Sequence, residues 1–238
     1  MTTVVLLRHG LTAMTGPVLA GRTSGVHLDD RGIAQAAAAA ERLAGVKLAA
    51  IVSSPLERCQ ETAAAVARAN ELPVETEPRL IECGYGDWTG QELKKLAKDP
   101  LWKVVQAHPS AVTFPGVEGE SLRTAQCRAV DAVRSWNAKL GSDAIWLACS
   151  HADIIKSVVA DALAMHLDEF QRIVVDPCSV TVIRYTELRP FVVRVNDSGS
   201  ALAALLAPPT GAKKPRKKGS TSSEADADAV VGGGTGAT

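Results

Sequence analysis

The chain has no long apolar run, no cysteine pairing pattern and no excess of charge of either sign. Its five cysteines (Cys59, Cys83, Cys127, Cys149, Cys178) are scattered, odd in number and without a C-x-x-C pair. That spacing excludes a disulfide framework and a cysteine-based zinc site, and fits reduced thiols in the cytoplasm. No stretch approaches the roughly 18 uninterrupted apolar residues of a membrane span. The apolar run near the N-terminus is too short for a signal-peptide core and has no basic region before it, so a cytoplasmic location is expected. Lys plus Arg equal Asp plus Glu at 26 each, which argues against a global nucleic-acid binder.

What is present suffices for one large domain: 238 residues, 46% of them hydrophobic. The composition changes near Pro208. The stretch PPTGAKKPRKKGSTSSEADADAVVGGGTGAT holds almost no large apolar side chains, so it cannot bury enough surface to offset its ordering entropy. We expect one domain over residues 1–207 and a disordered Lys/Gly/Ser-rich tail over 208–238. Lys213, Lys214, Arg216, Lys217 and Lys218 form a basic cluster suited to an anionic surface, but Glu224, Asp226 and Asp228 follow closely and favour a plain solvated tail.

Within the domain, strand and helix signals alternate. TVVLLRH suits a strand buried on both faces. LDDRGIAQAAAAAERLAG is an Ala-rich helix with Gly45 placed to end it, and the run Ala36–Ala40 there is helix propensity and close packing. LAAIVSS is a second buried strand, followed by the helix PLERCQETAAAVARANEL with Pro55 at its first position. PVETEP is a short third strand. Residues 83–120 are loop-rich with one helical piece, GQELKKLAKDPLWKVVQAH; then come helix SLRTAQCRAVDAVRSWNAKLG, strand AIWLACS, helix ADIIKSVVADALAMH and the strands SVTVIRYTE and FVVRVND. Repeated β-α-β order predicts a three-layer α/β/α sandwich with a mostly parallel central sheet.

Three of these strands run into polar clusters: VVLLRHG into Arg8 and His9, AAIVSSPLER into Arg58, and AIWLACSH into Ser150 and His151. Open α/β sheets gather ligand-binding groups at the C-terminal ends of their strands. Two arginines and two histidines there make an electropositive pocket suited to an oxyanion, phosphate above all, whose oxygens match the guanidinium fork. Glu82, in RLIECGYGDWTG, opens a Gly- and aromatic-rich loop. Beside a bound phosphate its protonated form would be favoured, as a general acid requires.

Here the sequence resembles the histidine phosphatase superfamily, which includes phosphoglycerate mutase-like enzymes and many phosphatases. RHGLT, SSPLERCQETA, IECGYGDWTG, FPGVEGES and CSHADII carry the resemblance, in the family's order and across nearly all of residues 1–207. It implies a phosphomonoesterase acting on small phosphorylated metabolites, with a phosphomutase as the alternative and a non-catalytic phospholigand-binding protein behind both. It implies that His9 attacks phosphorus as a neutral imidazole, that Arg8, Arg58 and His151 hold the phosphoryl oxygens, and that Glu82 is the proton donor and acceptor. Thr12, Thr15, Gly21, Arg22 and Ala152 are candidate substrate contacts. No metal or organic cofactor is implied, nor a membrane partner. Departures from the pattern border the substrate: Thr15 where many relatives carry Asn, Thr23 after Gly21 and Arg22, and Ala152 then Asp153 after the second histidine.

Plainer readings stand beside these. Thr12 can equally cap a helix; Arg22 can equally pair with a neighbouring carboxylate. His27, His108 and His166 lack motif support and fit surface or capping roles, and Trp88 fits loop packing. The compact IECGYGDWTG loop looks more like the phosphatase branch than the mutase branch. Nothing in the sequence decides between a monomer and a homodimer.

Overall fold

The computed structural model describes residues 1–199 and 231–235. Strands β1 (Thr2–Arg8), β2 (Ala50–Ser53), β3 (Val74–Thr76), β4 (Ile145–Ser150), β5 (Val180–Tyr185) and β6 (Pro190–Asp197) form one sheet in the order β3-β2-β4-β1-β5-β6. Pairings among β3, β2, β4 and β1 are parallel, while β5 and β6 add antiparallel at one edge. The sheet is mixed, with the parallel half built by helical crossovers and the antiparallel edge by a hairpin.

The period-two alternation of β1 divides the core. Val5 and Leu7 point into one cluster with Ala36, Ala39, Ala40 and Leu43 of α1 (Asp30–Leu43) and Cys59, Ala63 and Val66 of α2 (Glu57–Asn70). The small alanines of α1 let it approach α2 closely. Val4 and Leu6 point the other way, into a cluster shared with α5 (Leu122–Leu140) and α6 (Ala152–Ala162). Helices therefore cover both faces, as the sandwich expectation requires.

Three local expectations differ from what forms. The single helix foreseen over 90–108 is two pieces, α3 (Leu93–Leu96) and α4 (Pro100–Ala107). Pro100 has no N–H to continue a helix, and Asp99 instead caps the new start by accepting from the Leu101 amide at 2.8 Å. Pro55 precedes α2 by two residues, because the turn at Ser54 is committed to tertiary contacts described below. Gly45 is not left-handed; α1 ends at Leu43 and is capped by Ala44, whose backbone is still helical.

The tail residues 208–230 and 236–238, expected to be disordered, lie outside the described residues. Residues 231–235 were expected to share that disorder, yet they lie against the domain with Val231 buried in its core. Composition averages over a segment and carries no signal for one valine finding an apolar contact. Among the described residues, no helix is long and apolar enough to cross a membrane.

Candidate active site

The strands β2, β4 and β1 lie side by side, so their C-terminal ends deliver their next residues to one place. Arg8 is in register with Ser150, the His9 amide donates to the Ser150 carbonyl at 3.0 Å, and the Ser54 amide donates to the Cys149 carbonyl at 2.9 Å. After His9 the chain must pass under the first turn of α1. A Cβ on Gly10 would sit 2.7 Å from the Gly32 carbonyl oxygen, so only glycine fits. The Gly10 amide donates to Thr62 Oγ1 at 3.1 Å, and that hydroxyl donates to the Arg58 carbonyl at 2.7 Å, which ties the β1 loop to α2.

His9 is buried, with Nδ1 2.8 Å from the Gly10 carbonyl oxygen. A carbonyl only accepts, so Nδ1 carries the hydrogen and Nε2 keeps a bare lone pair. Burial, then the Arg58 and Arg8 charges, hold its pKa well below the usual histidine value, so the ring is neutral. The ring of His151 lies 5.3 Å away, centroid to centroid, inclined at 61°. His151 places Nδ1 3.3 Å from Arg58 Nη2 and Nε2 2.8 Å from Ser54 Oγ. Arginine only donates, so Nδ1 accepts and Nε2–H goes to Ser54. Burial, Arg58 and His9 hold this imidazole neutral too.

Arg8 and Arg58 are each only 1% exposed. Arg8 Nη1 donates to the carbonyls of Val175 (2.7 Å) and Gly234 (2.8 Å), and Arg58 Nη2 donates to that of Gly21 (2.7 Å). Arg8 Nε, Arg58 Nε and Arg58 Nη1 are buried without an acceptor among the described residues. Buried charged donors are costly to leave unmatched. Two guanidinium groups with donors to spare beside two neutral imidazoles match an oxyanion with several acceptor atoms.

Glu82 is buried facing this cluster. Its Oε1 accepts from the Cys83 amide at 2.9 Å and its Oε2 lies 3.8 Å from His151 Nδ1. Burial, then the Asp153 charge, push its pKa up to about 7 against the opposing pull of the Cys83 amide, Arg58 and Arg8. The carboxyl can therefore exist in both protonation states near neutrality. Its backbone is clamped: Arg22 Nε and Arg128 Nη2 donate to the Glu82 carbonyl at 2.9 and 3.0 Å, and both arginines bind Glu120 at 2.7 and 2.6 Å.

The candidate substrate contacts separate accordingly. Arg22 is turned to Glu120 and to the Glu82 carbonyl. Thr12 caps no helix; it opens a turn in which its Oγ1 lies 3.0 Å from Thr15 Oγ1. Thr12, Thr15 and Gly21 line a cavity with Arg8, His9 and Glu82, and the space left there is about 30 Å³, room for a water or two. Ala152 is buried at the start of α6. Ser54, Thr62, Tyr85, Glu120, Arg128 and residues 232–234 also build the site but were not among the candidates. Ser54, Thr62 and Tyr85 stand inside motifs already quoted, whereas Arg128 gives no local signal from the middle of α5. Tyr85 donates its hydroxyl to Asp153 Oδ2 at 2.8 Å, so Asp153 ties the loop after Glu82 to the start of α6.

The histidine phosphatase superfamily (branch 1) matches residues 4–198. Phosphoserine phosphatase 1 of Hydrogenobacter thermophilus is 30% identical over 207 residues, covering 82% of this chain and 92% of that protein. The 2,3-bisphosphoglycerate-dependent phosphoglycerate mutase of Thermoplasma acidophilum is 27% identical over 184 residues, covering 77% and 87%. Two uncharacterized Mycobacterium tuberculosis proteins are 48% identical over 81 residues, and the match spans 34% of this chain and only about 40% of their length. Among solved structures, mycobacterial glucosyl-3-phosphoglycerate phosphatase superposes with a TM-score of 0.73 at 25% identity, covering 82% of this chain and 98% of that one.

Proposed function

The chain belongs to the histidine phosphatase superfamily, and from that premise we propose that it hydrolyses small phosphomonoesters through a phosphohistidine at His9. One observation carries the reading. The bare Nε2 of a neutral, buried His9 lies among guanidinium donors that no acceptor among the described residues satisfies, with a carboxyl of pKa about 7 beside them.

The first step forms the bond between His9 Nε2 and phosphorus and breaks the bond from phosphorus to the ester oxygen. Arg8 and Arg58 bind the phosphoryl oxygens through their spare donors and stabilise the charge that spreads over them. Protonated Glu82 gives its proton to the departing alkoxide. In the second step the Glu82 carboxylate takes a proton from water, the water oxygen attacks phosphorus, and the electron pair of the broken N–P bond returns to Nε2. His151 supports both steps. With Arg58 turned to an incoming phosphoryl group, the neutral ring exchanges tautomer: Nε2 accepts from the Ser54 hydroxyl and Nδ1 carries the hydrogen it donates to the anion. The Gly10 carbonyl fixes the His9 tautomer throughout.

A phosphomutase uses the same first step and hands the phosphoryl group to a second substrate hydroxyl. The similarity to the phosphoglycerate mutase of Thermoplasma acidophilum supports this alternative. The substrate class in either case is a small phosphorylated metabolite. We further place the protein in the cytoplasm, a reading supported by its cysteines, all of them unpaired.

The deciding experiment incubates the full chain with sugar phosphates, phosphoglycerates, phosphoserine and nucleotides, and measures inorganic phosphate and isomerised product together. Phosphate release with an acid-labile phosphoprotein is the expected result. Isomer without net release would make the protein a mutase, and neither product would leave phospholigand binding alone.

A further inference from the structure

The cavity at His9 is bounded on one side by the chain's own carboxy-terminal residues. Val231, Gly232 and Gly233 line it together with Arg8, His9 and Glu82. Val231 is 2% exposed and belongs to the same apolar cluster as Leu19 and Tyr85. The Gly232 amide donates to Asp153 Oδ2 at 3.0 Å. The Gly234 carbonyl accepts from Arg8 Nη1 at 2.8 Å.

Glycine is required along this path. Gly232 and Gly233 have φ of +77° and +82°, a region side chains rarely adopt. A Cβ on Gly233 would also stand 2.4 Å from Ala152 Cβ and 3.0 Å from Arg8 Cζ. The backbone thus lies directly against the guanidinium, and no other residue type reaches it so closely.

We propose that the segment Val231–Thr235 is an intramolecular competitor: it sets a peptide carbonyl on Arg8 where a phosphoryl oxygen must bind, so segment and substrate exclude one another. The proposal rests on reading Arg8 as a phosphate ligand. About 30 Å³ remains beside the segment, too little for a phosphoester, so substrate enters only as the segment leaves. The exchange favours an incoming phosphate. A charged oxygen makes a roughly twofold stronger hydrogen bond to a guanidinium than a neutral carbonyl does, and the spare donors of Arg58 and Arg8 Nε are satisfied only by the anion. The tethered segment offsets part of that advantage through its effective concentration. The device sets a threshold, admitting ligands that hold a phosphate and refusing weaker acceptors.

Two substitutions in the full chain test this. Gly233→Val removes the close approach at Arg8, and Val231→Asn removes the apolar anchor away from Arg8. Binding of inorganic phosphate is measured by titration calorimetry, which needs no turnover, and thermal melting checks the fold. A segment seated most of the time reduces apparent phosphate affinity by the fraction of molecules left open, so both variants should bind phosphate roughly threefold to tenfold more tightly. KM for p-nitrophenyl phosphate should fall by a similar factor. Unchanged binding in the variants would overturn the proposal, and weaker binding would make the segment a wall of the pocket. Tighter binding without any ester hydrolysis would leave the competitor standing and remove the catalytic reading. No phosphate binding by any of the three proteins would remove Arg8 as a phosphate ligand, and the competitor with it.

Discussion

At the strand ends, Arg8 and Arg58 keep three buried donors without an acceptor among the described residues. At the rim, Arg22 and Arg128 converge on Glu120 and on the Glu82 carbonyl. The contrast separates two uses of one residue type. Unmatched guanidinium groups hold a binding site at the cost of burying charge, a cost an anion can offset. Matched ones hold a backbone in place. Here the matched pair fixes the loop that presents Glu82, so on the proposed mechanism the rim acts only by positioning that carboxyl.

The comparison can be broken at several points. The largest effect is expected at His9: His9→Ala should lose at least about 10⁴-fold in kcat and all acid-labile phosphate label, since the bond-forming atom is gone, with an unchanged melting temperature. Near-normal turnover in that variant would end the phosphohistidine mechanism. Glu82→Gln should cost on the order of 10²–10⁴ in kcat on alkyl phosphates and far less on p-nitrophenyl phosphate, whose leaving group needs little protonation. Equal losses on both would deny Glu82 the role of acid.

The two classes of arginine can be opposed directly. Arg58→Ala should lower kcat/KM by roughly 10²–10³ through lost phosphoryl stabilisation, comparable to removing a charge-stabilising donor elsewhere. Arg22→Ala should act on stability first, by about 1–3 kcal/mol, because it strips a partner from Glu120 and from the Glu82 carbonyl. Denaturant titration and steady-state kinetics on the same two variants separate the cases. Similar profiles would mean that the distinction between matched and unmatched arginines has no functional content.

The smallest effect is in the pH response. Glu82 has its pKa raised from the ordinary carboxylate value of 4.5 to about 7. The protonated acid is then lost as pH rises through 7, so kcat/KM on alkyl phosphates should decline above about pH 7 while p-nitrophenyl phosphate stays nearly flat. His9, with its pKa lowered, stays neutral across that window. The same shift sets a stability sign. A folded-state pKa above the unfolded one contributes stability that is fully present below about pH 4.5 and lost as pH rises through 7. Glu82→Gln should flatten that part of the stability profile.

Much of this architecture was legible because it depends on local pattern. The apolar run ending in Arg8 and His9, the Ala-rich α1 and the strand ending in Ser150 each announce their element through periodicity or a cap. Strand-end placement then follows from β-α-β order alone, which is why Arg8, His9, Arg58 and His151 group together from the sequence. Where local signals competed, boundaries moved: Pro100 split an expected helix, and Ser54, bound to His151, kept Pro55 out of α2.

The sequence by itself determined the sandwich, the family and the identity of the groups at the strand ends, since these rest on spacing and residue type along short stretches. Only the tertiary structure decided which donors are spent and which are spare. Arg22 and Arg58 look alike as letters, but one meets Glu120 from 98 positions away and the other keeps two donors unpaired among the described residues. It also decided that a glycine run near the end of the chain reaches Arg8, 226 positions from Gly234. The physical reason is range: periodicity and capping act within a few residues, whereas hydrogen-bond saturation and burial depend on contacts that no local pattern encodes.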